Sequence, residues 1–394
     1  MKKTVFIFGG GISGLTVAHE LINKNYIVHL FEKDTIIGGM AKTRREQDSI
    51  PSEHSWRGFG PHYKNLFNVM KQIPIDTGKV SGKTVYNNLS EAIHFKLLSD
   101  KVNVRKGINF CDFVYLFYVC MKYLTSHNRK ELFYQQKLKT AMRGLRKTTR
   151  TFILNFLLGP GYGMEKETAS VGHFSKFASI NLLNNSSYKY HYTINNNKIY
   201  NDASGNWHVL NQPTNEGWFD PWIKYLKKKG VHINLNSELK KINYKNNTIL
   251  SCVVHKNNQI ETLKADFYVL CVNPFNAEEI FKNSYIPDLY RQHYLLNKNT
   301  HSNQISFRIG FHKKIKFPMA NLGMVIADSE YNITFYSQDY NWEDNVKLSD
   351  SGKIKSLWSG TILFTTNDIG KLYNKPAIKL TKDQLQKEII FQLL

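Results

Sequence analysis

The chain opens with two apolar runs separated by glycines and an apolar stripe at helical spacing. Val5 to Phe8 are continuously apolar, as in a strand that is covered on both faces. The following stripe has the helical period of apolar positions, and it consists of Leu15, Ala18, Leu21 and Ile22. A second apolar run, Ile27 to Phe31, ends at Glu32. The pattern predicts a βαβ unit of about 30 residues.

The turn between the first strand and the helix carries regularly spaced glycines. Gly9 permits a tight turn, Gly11 leaves room for phosphates over the helix N-terminus, and Gly14 lets helix and strand pack closely. Glu32, at the end of the second strand, can accept hydrogen bonds from ribose hydroxyls, which favours a non-phosphorylated ribose over NADP. We predict a dinucleotide site; the alternative is a glycine-rich loop of another α/β protein. The site residues are Gly9, Gly10, Gly11, Ile12, Ser13, Gly14, Glu32 and Lys33.

A second glycine pair, Gly38-Gly39, follows Glu32 closely and precedes Met40. It resembles the glycine doublet of the FAD-dependent amine oxidase and phytoene desaturase superfamily, in which the doublet brings backbone against the phosphate region of the cofactor. The alternative is an ordinary tight turn. The resemblance implies FAD as the cofactor, with Gly38, Gly39 and Met40 among its contacts.

Residues 51–66 are similar to a stretch of carotenoid and squalene-type desaturases. The matching positions are Glu53, His54, Arg57, Phe59, Tyr63 and Leu66. Ser55 and Pro61 depart from the family, which usually has Gly there, so the resemblance does not fix the local backbone geometry at these two positions. The resemblance implies that Glu53, His54 and Arg57 lie near the cofactor; a surface loop is the alternative.

Residues 205–274 resemble the return of the chain to the FAD domain, with a strand near Val231–Leu235 beside the cofactor and a buried strand that Pro274 ends. The resemblance therefore implies an α/β fold in which a Rossmann-like FAD-binding domain is interleaved with an α+β substrate domain. The FAD domain comprises residues 1–78 and 208–276. The substrate domain comprises a mostly helical part, 79–207, and a part with antiparallel strands near Ile305–Phe311 and Ile333–Tyr336, 277–394.

The family resemblance implies a FAD-dependent oxidoreductase that oxidises a small substrate, either lipid-like or an amine, by hydride transfer to flavin. Oxygen or a quinone would then accept the electrons. Amine oxidases often carry a lysine in the strand that corresponds to Gln304–Phe311, whereas this chain has Ser306 and Arg308. This difference favours a desaturase-like activity, although no catalytic residue is assigned. The alternative is a degenerate flavoprotein that binds a partner without turnover.

The superfamily has a third glycine-containing strand–turn–helix near its C-terminus, and nothing in this sequence matches it. We therefore expect a truncated sequence, or a split gene whose C-terminal fragment completes the cofactor site. Thr381 is expected to cap the last helix.

The net charge of the chain limits the classes of partner that it can have. The chain has 53 basic and 31 acidic residues, a net charge of +22. One interpretation is a Lys-, Asn- and Ile-rich composition; the other is attraction to an anionic membrane or a phosphorylated ligand. A basic face at helical spacing supports the second, and it comprises Lys139, Arg143, Arg146, Lys147 and Arg150. No nucleic-acid-binding motif is present.

Four cysteines without C-x-x-C spacing predict no metal centre and fit a reducing compartment. No run approaches the roughly 20 apolar residues of a spanning helix, and the apolar run at the N-terminus is explained by the first strand rather than by a signal peptide. We expect a cytoplasmic protein, with peripheral membrane contact as the open alternative.

Overall fold

The structure, a computed structural model, describes residues 2–55, 57–75, 82–92, 95–98, 109–161, 163–184, 190–194, 198–202, 207–257, 259–286, 303–315, 323–326 and 329–394. The predicted domain boundary at 78–79 lies outside these residues. The other domain boundaries stay a prediction, and the one at 276–277 falls within a helix, Pro274–Asn283.

The strands, in chain order, are β1 (Thr4–Phe8), β2 (Ile27–Phe31), β3 (Thr43–Arg45), β4 (Pro51–Glu53), β5 (Gly58–Phe59), β6 (Leu89–Ala92), β7 (Phe95–Leu98), β8 (Tyr190–Ile194), β9 (Lys198–Asp202), β10 (Trp207–Leu210), β11 (His232–Asn234), β12 (Ser237–Lys245), β13 (Thr248–Lys256), β14 (Gln259–Leu263), β15 (Phe267–Leu270), β16 (Gln304–Phe311), β17 (Gly323–Ile326), β18 (Thr334–Ser337) and β19 (Ser356–Leu363).

The α-helices are α1 (Ile12–Ile22), α2 (Lys64–Gln72), α3 (Phe110–Thr125), α4 (Lys130–Gln135), α5 (Leu138–Ala141), α6 (Lys147–Thr151), α7 (Val171–Asn184), α8 (Asp220–Lys228), α9 (Pro274–Asn283), the short helix Gln338–Asn341 and the C-terminal helix Lys382–Leu393. Two further segments are π-helices, Phe152–Gly161 and Asn215–Phe219, and the second leads directly into α8.

A four-stranded parallel sheet in the order β11-β2-β1-β15 forms the centre of the first part of the fold. Val5 pairs with Val28 of β2 on one side and with Phe267 of β15 on the other. The sheet thus joins the first 31 residues to β11 and β15, two strands of the single later return that the sequence predicted.

Both faces of this sheet are covered. Val5 and Ile7 face α1 and α8, where Trp218 and Trp222 are buried in the same cluster. On the other face, Phe6 packs with side chains of β12, β13 and α9. The continuous apolar character of β1 follows, since each of its two faces lies against a core, and full burial of one such side chain contributes about 1.5–3 kcal/mol.

The predicted burial of the strand before Pro274 is wrong. Phe267 is 44% exposed, and the rest of β15 is half-buried. The reason is its position: β15 pairs with β1 alone in this sheet and is an edge strand.

The second part contains a five-stranded sheet in the order β16-β19-β18-β17-β7. The predicted antiparallel strands are present as β16 and β18, which pair with β19 on its two sides. One face packs against the C-terminal helix, which begins at Thr381 with a capping box to Gln384. The capping expectation for Thr381 is thereby met.

Helices α3 to α7 form a separate apolar cluster. The single basic helix expected over residues 139–150 is wrong, because the chain forms α5, a 3₁₀ turn at Met142–Gly144, and α6 instead. The cause is Asp112 of α3: its carboxylate accepts hydrogen bonds from the backbone N–H of Arg146, the Arg146 guanidinium and the Thr149 hydroxyl. These contacts draw the segment away from regular helical geometry.

Candidate functional site

A cleft of about 950 Å³ lies at the carboxyl ends of β1, β2 and β15. This is the edge at which open α/β sheets bind ligands. Phe8 and Gly9 line it from the end of β1, Glu32 from the end of β2, and Cys271 from the end of β15. Its volume falls in the range typical of cofactor and small-molecule sites, about 300–1,000 Å³.

The glycines of the opening turn have different neighbours. Gly9 has a φ of 109°, and a Cβ there would lie 2.4 Å from the carbonyl oxygen of Cys271. A Cβ at Gly14 would lie 1.9 Å from the carbonyl oxygen of Gly9. The protein's own packing therefore requires both glycines.

Gly11 differs from these two glycines. Its φ of −79° suits any residue, and a Cβ there would have only the Gly39 Cα nearby, at 3.8 Å. Gly11 lines the cleft, so the space that its missing side chain leaves opens into the cleft. Packing within the protein does not explain this glycine, whereas close approach of a ligand does.

Gly11 is also the N-cap of α1, and no side chain caps this helix end. The first turn of a helix has backbone N–H groups without partners inside the helix, together with a partial positive charge. Ser13, in this first turn, lines the cleft as well. The arrangement suits a phosphate or diphosphate.

Glu32 is buried and lies at the floor of the cleft. One carboxylate oxygen accepts the Gly10 N–H at 2.6 Å and the other accepts the Asp34 N–H at 2.9 Å. Because a carboxylate has about four acceptor positions, two remain for hydroxyl donors in the cleft. These two backbone bonds fix the carboxylate beside the glycine turn.

The Gly38-Gly39 pair is bound to the opening turn. Gly38 has a φ of 127° and donates its N–H to the Gly10 carbonyl at 2.9 Å. Gly39, with a φ of 57°, lies against Gly11, since a Cβ on Gly39 would be 3.1 Å from the Gly11 Cα. Gly39 and Met40 line the cleft, so the two glycine turns form one continuous wall of backbone.

Asp34 organises the cations on this wall. Its carboxylate forms ion pairs with Lys42 and Arg44, which both line the cleft. Burial alone would raise the pKa of Asp34, but the hydrogen bond and charge of Lys42 and the charge of Arg44 hold it below its ordinary value.

Glu53 and His54 also line the cleft. Glu53 is buried and accepts hydrogen bonds from the Thr43 hydroxyl at 2.5 Å and from the backbone and hydroxyl of Thr214 at 2.8 Å. His54 Nδ1 lies 3.2 Å from the hydroxyl of Ser306, which also donates to the His54 carbonyl. Burial, and then the charge of Arg57, lower the pKa of His54 below 6.5.

The predicted site residues therefore fall into two groups. Those that line the cleft are Gly9, Gly11, Ser13, Glu32, Lys33, Gly39, Met40, Glu53 and His54. Those that are not among the lining residues are Gly10, Ile12, Gly14, Gly38 and Arg57. Arg57 supports the wall, since its guanidinium donates to the carbonyl oxygens of Met40 and Ala41.

The sequence analysis did not predict two further walls of the cleft. One comes from the start of β12, at 237–240, directly after the strand that was expected beside the cofactor. Another comes from α9, which contributes Asn276, Glu279 and Asn283. The only signal for them is position, because residues that follow parallel strands of one sheet meet at the same edge. Among the described residues, no three His, Cys, Asp or Glu side chains are grouped to hold a metal ion.

Comparisons with known proteins agree with this geometry. Residues 7–73 match the model of the NAD(P)-binding Rossmann-like domain family. Among curated proteins, no sequence matches the chain.

Solved structures share the fold over nearly the whole chain. An oxidoreductase from Methanosarcina mazei has a TM-score of 0.60 at 13% identity, covering 99% of this chain and 83% of the other. A protein proposed to be a protoporphyrinogen oxidase, from Exiguobacterium sp. 255-15, has a TM-score of 0.59 at 14% identity, covering 100% and 82%.

A third structure, the CLA-producing fatty acid isomerase from P. acnes, has a TM-score of 0.61 at 12% identity, covering 99% of this chain and 82% of the other. At these identities the likeness concerns the fold. The α/β fold with a Rossmann-like domain that the sequence predicted is therefore confirmed, and the match to the NAD(P)-binding Rossmann-like domain family covers residues 7–73 of it.

Proposed function

We propose that this protein binds FAD in the cleft and acts as a FAD-dependent oxidoreductase. The observation that carries the proposal is the Gly11 backbone, which lines the cleft and which the protein's own packing leaves open to close approach. The chain omits a side chain there without any packing reason of its own, at an uncapped helix N-terminus and beside Glu32. A dinucleotide fits this combination, because it offers a diphosphate and a ribose a few bonds apart.

The residues divide the work of holding FAD. Backbone of the Gly9–Gly11 turn and the start of α1, with Ser13, would bind the diphosphate, and Gly39 would cover it. The free acceptor positions of Glu32 would take the ribose hydroxyls. The same cleft is lined by Glu53 and His54, and we assign these two residues to the flavin half of the cofactor.

When bound, FAD supplies the acceptor for a hydride from the substrate. In the part of the cleft that we assign to the flavin, the protein contributes the side chains of His54 and Ser306. Since burial and Arg57 lower its pKa, the His54 imidazole is uncharged at neutral pH and available to accept a hydrogen bond or a proton. We infer that His54 and Ser306 orient the substrate beside the flavin.

A lipid-like substrate fits the part of the cleft near His54 and Ser306 better than an amine does. The strand that borders it, β16, presents Gln304, Ile305 and Ser306 to the cleft and no lysine. The structural likeness to a fatty acid isomerase supports the same choice. Oxygen or a quinone is the proposed electron acceptor.

The test is the cofactor content of the purified full chain. We expect a yellow protein that releases FAD on denaturation, identified by mass spectrometry, and whose flavin is bleached anaerobically by an unsaturated fatty acid or another apolar substrate. Release of NAD and no flavin would overturn the proposal. Bound FAD that no apolar or amine substrate reduces would leave the binding correct and favour a protein without turnover.

A further inference from the structure

Helix α3 exposes a stripe of large apolar side chains. The stripe follows helical spacing on one face and consists of Phe110, Phe113, Val114, Phe117, Tyr118, Met121 and Leu124. Phe110 is 79% exposed and Tyr118 57%. With 16 residues, the helix presents this stripe over about 24 Å. We call it the outer stripe of α3.

The opposite face of α3 is already used. Cys120 and Tyr123 are buried in the helical cluster, Leu116 and Val119 are partly buried against it, and α3 packs along α7. A helix that is apolar all round is normally covered all round. Among the residues that the structure describes, nothing covers the outer stripe, and exposed patches of this kind mark contact with a partner or a membrane.

The part of the chain that carries the outer stripe is rich in basic residues. Between residues 109 and 150 the sequence has nine Lys and Arg against two Asp and Glu. One of the two acids, Asp112, is buried and paired with Arg146. The segment that carries Arg143 lies beside α3, since the Tyr115 hydroxyl donates to the Ala141 carbonyl at 2.7 Å.

We propose that the outer stripe of α3 inserts into the interface of an anionic lipid bilayer, with the basic residues of this part of the chain on the lipid headgroups. Aromatic and aliphatic side chains on one face, flanked by Lys and Arg, form the pattern of helices that lie in a membrane surface. A second copy of the chain fits less well, because a face-to-face pair would bring two strongly basic surfaces together.

Vesicle binding by the full chain tests the proposal. We expect co-sedimentation with vesicles of phosphatidylcholine and phosphatidylglycerol, weak binding to phosphatidylcholine alone, and release at high salt. The double variant Phe113→Ser/Phe117→Ser should bind at least about tenfold more weakly, given what burial of a phenyl ring contributes. Its matched control is Ile390→Ser/Phe391→Ser, which removes two equally exposed apolar side chains of the C-terminal helix.

The charge contribution has its own pair of variants. Arg143→Gln/Lys147→Gln should weaken binding to anionic vesicles, whereas Lys382→Gln/Lys387→Gln, which removes two exposed lysines of the C-terminal helix, should not. Equal effects of both pairs would indicate attraction by net charge alone and would overturn the proposal.

Cys111 allows a direct readout of insertion. It is the exposed cysteine of α3, while Cys120 and Cys252 are buried and Cys271 is partly buried. A polarity-sensitive fluorophore on Cys111 should shift to the blue on addition of anionic vesicles. An unchanged spectrum, absence of vesicle binding, or a dimer that Phe113→Ser/Phe117→Ser dissociates would each overturn the proposal, and the last would assign the stripe to a second copy.

Discussion

At the scale of single residues, the opening turn shows that glycines of one motif serve different purposes. Gly9 and Gly14 are required by close contacts within the protein, while Gly11 meets almost nothing of the protein. A substitution should therefore separate folding from cofactor binding within four positions of the chain.

We expect Gly11→Val to fold with a loss of less than about 1 kcal/mol and to bind FAD at least about tenfold more weakly, because the side chain would occupy the space that we propose for the diphosphate. Gly14→Val should lose about 3 kcal/mol or more, since its Cβ collides with the Gly9 carbonyl. Chemical denaturation and a fluorescence titration with FAD measure the two effects.

Gly144→Val is the control for the glycine variants, because a Cβ there has nothing within 4 Å. It should change neither quantity. If Gly11→Val bound FAD as tightly as the unmodified chain, the diphosphate would not lie over this turn.

At the scale of elements, His19 connects three helices. It is fully buried on α1, accepts the indole N–H of Trp222 from α8 at 3.2 Å on Nδ1, and lies 3.3 Å from the Gln72 side chain of α2 on Nε2. These two contacts suit the uncharged ring with its proton on Nε2, since a second proton on Nδ1 would face the indole N–H.

Burial lowers the pKa of His19 below 6.5. His19 therefore binds a proton more weakly in the folded chain than in the unfolded chain. Because protonation then favours the unfolded chain, the stability that His19 contributes above pH 6.5 is lost as the pH falls below that value. The loss approaches about 1.4 kcal/mol per pH unit for one proton. We expect His19→Gln to flatten this part of the stability curve, measured by urea denaturation between about pH 8 and pH 5.

His312→Gln, at an exposed position, is the matched control and should leave the slope unchanged. A slope in His19→Gln as steep as that of the unmodified chain would show that other groups cause the acid sensitivity.

Elements defined by local pattern could be predicted, and those defined by distant contacts could not. The order of β1, α1, β2 and Glu32 follows from the pattern of neighbouring residues in the sequence. The α9 wall of the cleft is not, because Asn276 and Glu279 gain their place only when β15 pairs with β1. Likewise, the regular spacing of Lys139 to Arg150 carries no sign that Asp112, far back in the sequence, interrupts the helix.

At the scale of the whole molecule, cofactor binding and stability are linked. Because FAD would contact both the N-terminal turn and the walls contributed by β12 and α9, it should stabilise only the folded chain. A free FAD concentration one hundred times the Kd should add about 2.7 kcal/mol to the free energy of unfolding.

The measurement is thermal unfolding of cofactor-depleted protein with FAD, and with NAD and FMN as controls. We expect FAD to raise the Tm most, since FMN lacks the adenosine that Glu32 would hold and NAD lacks the flavin. A larger rise with NAD than with FAD would contradict the assignment of the cleft.

No helix within the described residues has the length and apolar character needed to cross a bilayer.

The pairing of β1 with β15 has a consequence for synthesis of the protein. The backbone N–H of Thr4 bonds the carboxylate of Asp266, 262 residues later. At about 5–20 residues per second, the ribosome needs on the order of tens of seconds to supply that partner. During this interval one edge of the apolar strand β1 stays unpaired in the nascent chain, so chaperone capture at the first strand should be strongest before residue 270 emerges.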